Sequence, residues 1–119
     1  MKLRYTVPAL VDLNSILGTI AAQSPQGAER VQGRIRRLIG LLLIHPDIGI
    51  RTDDAVIRRL TTLPYPYFVF YEATKTEIII HAIWSAHVWR TSPPARDAIA
   101  IRRSIASKAS LIRSTNGAL

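Results

Sequence analysis

Four side chains in this sequence are the best candidates for metal-independent cleavage of a phosphodiester: Arg59, Tyr71, His87 and Arg90. Cutting RNA in that way needs help for the attacking 2′-hydroxyl, charge stabilisation at the phosphate and an acid for the leaving oxygen. Histidine titrates near neutrality and is the usual acid or base. Arginine can clamp two phosphate oxygens at once. Glu72, next to Tyr71, adds a further candidate base. On an antiparallel sheet Arg59 and Tyr71 are expected to share one side, with His87 at the rim. A structural reading competes with this one: Tyr71 packs the edge of the core, Arg59 is solvated and His87 is a loop residue.

Other chemistries are poorly supplied. The chain has no cysteine, so it offers neither a disulfide frame nor a thiolate metal site, which fits a reducing cytoplasm. His45, His81 and His87 lack the close pairing of metal ligands, and no metal or other cofactor is expected. His81 lies inside an apolar run and reads as a hydrogen-bonded strand residue. No Gly-rich phosphate loop follows a strand, and no Ser nucleophile sits in a recognisable elbow. Trp84 and Trp89 stand near Arg90, a grouping that suits base stacking or a protein hot spot. Trp84 is expected in the core and Trp89 at the surface.

The elements that must position these groups are written in the hydrophobic pattern. Lys2-Leu3-Arg4-Tyr5-Thr6-Val7 alternates with period two, as a strand with one buried face does. Pro8 suits the first turn of a helix. Leu10, Leu13, Leu17 and Ile20 then recur at helical spacing, opposite Asp12, Asn14, Ser15 and Gln23. Ser24-Pro25 is an N-cap followed by a first-turn proline, and Ala28, Val31, Ile35, Leu38 and Leu42 give a second stripe ending before Pro46. So short a link forces the two helices antiparallel. Arg30, Arg34 and Arg37 line one flank of the second helix, either as a binding stripe or as a solvated face.

Beyond Gly49 the pattern changes. Residues 50–55 read as a loop. Residues 55–60, 67–71 and 77–84 read as strands, and Thr74-Lys75-Thr76 is short enough to join the last two as a hairpin. The fold class is therefore α+β: an N-terminal strand, then an antiparallel helical hairpin packed on a three- to four-stranded antiparallel sheet. Residues 1–94 form one domain, and residues 95–119 form a basic tail, helical or disordered.

The protein carries a formal charge of +8, shared unevenly. Residues 1–94 hold 11 basic and 7 acidic side chains, and residues 95–119 hold 5 and 1. Such a field attracts RNA, DNA or an acidic protein segment. The start of the chain is charged and alternating, unlike a signal peptide, and the longest apolar runs are far below the ~20 residues of a membrane span. A soluble cytoplasmic protein with no membrane partner is expected.

Several segments, taken in order, resemble the RelE/ParE superfamily of toxins. They are Tyr5-Thr6 leading into Ala9 to Ile16, Ser24-Pro25-Gln26-Gly27-Ala28, and His45-Pro46-Asp47-Ile48-Gly49. Arg58-Arg59-Leu60, Leu63 to Tyr71, and Ile78 to Trp84 complete the series. The paired arginines, aromatic strand and isoleucine run most resemble the ParE branch. The resemblance covers about residues 2–84. It implies the toxin of a type II toxin–antitoxin module, a cognate antitoxin and a target in core information processing. A ParE-like member would bind and inhibit DNA gyrase, here through Arg58, Arg59, Trp89 and Arg90. A RelE-like member would cut mRNA on the ribosome, with Arg59, Tyr71, His87 and Arg90 as the catalytic candidates. The antitoxin would lie on the helical hairpin at Leu13, Leu17, Arg30, Arg34 and Arg37. The chain departs from the family pattern at Ser85 to Pro94, where His87 and Arg90 are shifted from their expected places. That leaves open whether the toxin is fully active.

Overall fold

A computed structural model of the protein describes residues 1–91. The tail expected over residues 95–119 lies outside the described residues. The elements run β1 (Lys2–Tyr5), α1 (Val7–Gln23), α2 (Pro25–Ile44), β2 (Ile50–Arg51), β3 (Ile57–Thr61), β4 (Tyr67–Ala73), β5 (Glu77–Ser85) and α3 (Ala86–Thr91).

Both long helices start where their caps dictate. The Thr6 hydroxyl accepts the Ala9 N–H at 3.2 Å, and the Ser24 hydroxyl accepts the Gly27 N–H at 3.0 Å. Pro8 and Pro25 sit in the first turns, where a missing N–H costs nothing. Ser24→Ala is expected to lower stability by about 1 kcal/mol. The check is a shift of the urea midpoint at constant slope; an unmoved midpoint would contradict the cap.

Among the described residues the sheet has five strands in the order β1-β5-β4-β3-β2. This extends the expected three- to four-stranded antiparallel sheet in two ways. First, β1 pairs parallel with β5, Lys2 opposite Glu77 through Tyr5 opposite Ile80. The cause is topological. Two antiparallel helices return the chain to the end of the sheet where β1 stopped, so β2 runs opposite to β1. Three further reversals then leave β5 parallel to β1. Second, Ile50–Arg51, within the expected loop, forms a short strand against Arg58 and Arg59.

The ladder between β4 and β5 slips once. Phe70 is opposite Ala82 and Tyr71 is opposite Ile80, which leaves His81 as the extra residue of a bulge. The bulge lets Ile78, Ile80 and Ile83 all face the helices, although their spacing breaks period two. On that face they meet Val31, Ile35, Leu38, Ile39 and Leu42 of α2 with Leu60, Val69 and Tyr71 of the sheet. Each such aliphatic side chain contributes roughly 1.5–3 kcal/mol when fully buried. The opposite face has its own cluster of Ile57, Phe68, Phe70, Ala82, Ala86 and Trp89, with Trp84 packed beside it.

The first helix sits less deeply than its stripe predicts. Only Ala9 of α1 is fully buried, and Leu10 is 43% exposed beside exposed Val7 and Val11. It lies on the rim of the sheet, over β5, and touches the core through Leu13, Ile16, Leu17 and Ile20. Among the described residues no helix is long and apolar enough to cross a membrane.

Candidate functional site

Register decides which candidate residues can meet. Arg58 is opposite Tyr71 and Arg59 is opposite Phe70. Arg59 and Tyr71 therefore project from opposite faces, which corrects the expectation that they share one side. Two pairing positions that differ by one residue along a strand alternate faces, and the paired arginines obscured which of them belonged with the tyrosine.

Tyr71 is wholly buried on the helix-facing side. Its hydroxyl donates to the Pro46 carbonyl at 2.7 Å and accepts the Gly49 N–H at 2.9 Å. Arg58 holds the same loop: Nη1 donates to the carbonyls of Gly49 at 2.9 Å and Asp47 at 3.3 Å, and Nη2 lies 3.7 Å from an Asp47 carboxylate oxygen. Together they fasten the turn between α2 and β2. Burial raises the Tyr71 phenol above its usual 10.0, although the Gly49 N–H and Arg58 pull it down and Asp47 adds slightly to the rise. Burial raises the Tyr5 phenol as well, with Arg36 opposing. The Tyr71 hydroxyl, with both bonds made to Pro46 and Gly49, serves this loop.

The raised phenols have a pH consequence. The unfolded chain gives up these protons near the ordinary value of 10.0, while the folded chain keeps them. Folding stability should therefore be intact below that pH and fall as pH rises through it, because the unfolded state then binds fewer protons. Urea unfolding across the alkaline range should show this decline, flatter in Tyr71→Phe. A decline of equal slope in the variant would remove Tyr71 as a contributor.

On the other face the structure does bring two candidates together. The Arg59 guanidinium carbon lies 4.3 Å from the centroid of the Phe68 ring, and that of Arg90 lies 5.8 Å from the same centroid. Both distances are within cation–π range. Trp89, expected at the surface, is only 8% exposed, with its ring 4.6 Å from Phe70 and 6.3 Å from Trp84. It anchors α3 to the sheet. The reason is spacing: in a helix starting at Ala86, residues 86 and 89 share a face, so Ala86 and Trp89 turn inward together. His87, Val88 and Arg90 are left exposed. Trp84 is half-buried against the same cluster. His81 Nε2 lies 3.0 Å from Glu72 Oε1, so the spare base suggested by sequence is engaged by a buried strand histidine.

The hairpin residues expected to meet a protein partner divide. Leu13 and Leu17 pack against the core. The Arg34 Nε donates to the Leu63 carbonyl at 2.7 Å, and Arg30 and Arg37 are exposed. What sequence reasoning missed is a groove beside α1. One part is lined by Ser15, Ile16, Thr19, Ile20 and Tyr67, and the adjoining part by Asp12, Ser15, Ile16, Ile83, Trp84, Ser85 and Val88. The surplus of apolar residues in α1 beyond a single stripe was the available signal. Among the described residues no cluster of three His, Asp or Glu side chains could hold a metal ion.

Arg59 and Arg90 form a basic edge beside an aromatic cluster, whereas Tyr71 lies on the far side of the sheet. The family model described as the ParE toxin of the type II toxin–antitoxin system parDE matches residues 3–87. No curated protein matches the chain. A solved structure described as the chromosomal ParDE TA system from P. aeruginosa is similar in fold, with a TM-score of 0.63 and 23% sequence identity. The match covers 71% of this chain and 95% of that one.

Proposed function

This chain belongs to the ParE toxin family of type II toxin–antitoxin systems, and from that premise we propose that it acts by binding and inhibiting DNA gyrase and is held silent by a cognate antitoxin. The observation that carries the binding reading is the division of the nuclease candidates between two faces. The Tyr71 hydroxyl is committed to Pro46 and Gly49, while Arg59 and Arg90 lie over Phe68 on the opposite side. An inhibitor that works by docking needs only a complementary surface. Arg59 and Arg90 supply fixed positive charge, and the Phe70–Trp84–Trp89 cluster supplies a stiff support beneath it. In this reading Trp89 holds the surface in place while Arg90 touches the target.

The family membership also supports an antitoxin partner, and an acidic segment that folds on binding would suit so basic a chain. Its site of action would be the cytoplasm, where gyrase works.

His87 separates docking from cleavage. We expect His87→Ala to inhibit gyrase supercoiling as the parent does, and Arg90→Glu to need roughly tenfold or more protein for the same inhibition. Cleavage of ribosome-bound mRNA by the parent, lost in His87→Ala, would instead establish a ribosome-dependent endoribonuclease and overturn the gyrase reading.

A further inference from the structure

We propose that the solvent side of α1 is a self-association surface, on which a second copy of this chain docks with its own α1 running antiparallel about a two-fold axis at Asn14. Such a dimer requires neither the gyrase nor the antitoxin reading.

Val7 and Val11 are 58% and 59% exposed, with Leu10 exposed beside them. Val7, Val11, Asn14, Gly18 and Ala21 recur at alternating steps of four and three, so they form one stripe along the helix. All five are exposed. Asp12 is the one charged side chain of α1, and its carboxylate accepts the backbone N–H of Ile83 in β5 at 3.1 Å. The neighbouring α2 carries Arg30, Arg34, Arg36 and Arg37. In a chain of net charge +8, α1 therefore keeps an outer face that is apolar at one end and uncharged throughout.

Size along the stripe selects the occupant. Its first half is large, with Val7, Leu10 and Val11, and its second half is small, with Gly18 and Ala21. A Cβ at Gly18 would meet nothing within 4 Å. Glycine is unfavourable in a helix interior, and packing within the chain does not require it here. The hollow faces outward. In an antiparallel pair centred on Asn14, Val7 lies against the partner's Ala21, and Leu10 and Val11 lie over the partner's Gly18. Large ends then fill small ends at both halves of the contact. The Asn14 amide and the partner's Asn14 meet on the axis, where each donates to and accepts from the other and so fixes the register. Parallel pairing would set valine on valine and glycine on glycine, leaving one end crowded and the other empty. A charged segment finds no opposite charge on the stripe. A lipid surface needs large apolar side chains along its whole length. A second copy meets the neutral stripe with its own, so no charge opposes charge at the contact. One pair of helices makes a small interface, and the dimer is expected in the micromolar range.

Sedimentation of the purified full chain across a concentration series should show reversible dimers. Val11→Glu should weaken them roughly 30-fold or more, by placing an unpaired carboxylate in the contact. Gly18→Leu should act similarly by filling the hollow, while its thermal melt stays at or above the parent's, because leucine favours a helix over glycine. That combination separates lost docking from lost folding. Cysteine placement reads the geometry, since the chain has no cysteine of its own. Asn14→Cys should cross-link under mild oxidation and Val7→Cys should not, because two residues each seven places from the axis lie about 21 Å apart. A monomer at every concentration would overturn the proposal, as would dimers that persist in both Val11→Glu and Gly18→Leu. Cross-linking through Val7→Cys in preference to Asn14→Cys would overturn the antiparallel pairing. A monomeric parent whose Val11→Glu variant no longer binds the antitoxin would give this face to the antitoxin and end the second-copy assignment.

Discussion

Phe70→Ala is expected to cost about 3–5 kcal/mol of unfolding free energy. Phe70 is fully buried on the face away from the helical hairpin and touches three aromatic neighbours. Its ring centroid lies 6.2 Å from Phe68, 5.5 Å from Trp84 and 4.6 Å from Trp89. Truncation leaves a cavity that these rings cannot close, because Phe68 and Trp84 are held by the β4–β5 ladder. Trp89, on six-residue α3, is the one of the three whose backbone lies outside that ladder. The loss is therefore both energetic and positional, since α3 carries Arg90. Against a typical total of about 5–15 kcal/mol, such a loss leaves a large unfolded fraction at physiological temperature. Urea denaturation checks the magnitude. A cost under about 1 kcal/mol would mean that the second cluster is not a packed core.

Gly49→Ala should be nearly as damaging, for a different reason. A Cβ at Gly49 would lie 2.6 Å from both Cε1 and the hydroxyl oxygen of Tyr71 and 3.0 Å from Cζ. Among the described residues none has a positive φ, so the conflict is one of space alone. The Tyr71 ring cannot retreat into a filled core, so the loop must move and break the bonds to the Pro46 carbonyl and from the Gly49 N–H. Overpacking of about 1–3 kcal/mol and a stranded buried donor at about 1–3 kcal/mol give roughly 3 kcal/mol together. Tyr71→Phe should incur only the hydrogen-bond part. The double variant should recover little, because the ring carbon at 2.6 Å remains. A Gly49→Ala protein with the parent's urea midpoint would show that the loop is not fastened to Tyr71.

These two substitutions also mark where sequence was informative and where it was silent. The hairpin was legible because Ser24-Pro25 caps α2 and the stripe from Val31 to Leu42 repeats at helical spacing. The strands were legible from their β-branched and aromatic runs. The parallel placement of β1 was not, because it depends on counting chain reversals that include a two-residue strand too short to leave a pattern. The side chosen by Arg59 was not legible either. Two adjacent arginines carry the same chemistry, and only the register against Phe70 and Tyr71 separates them. The bulge at His81 directly follows a run of three isoleucines, within an apolar stretch where no alternation exists to be broken. Trp89 was misplaced for a related reason: proximity to Arg90 suggested a wet surface, whereas helical geometry from Ala86 turns the indole inward.

A single step of one residue along β3 sends Arg58 to the loop beside Tyr71 and Arg59 to the basic edge beside Phe68. Arg58 thus fastens the loop, and its neighbour lies over the Phe68 ring on the opposite face.

The most direct trial of this account is a gyrase supercoiling assay with the purified protein, run alone and with its antitoxin. The protein alone is expected to block supercoiling in proportion to its concentration, and the antitoxin to restore it. Undiminished supercoiling at saturating protein, with growth still arrested in cells expressing it, would contradict the account and direct the search to another target.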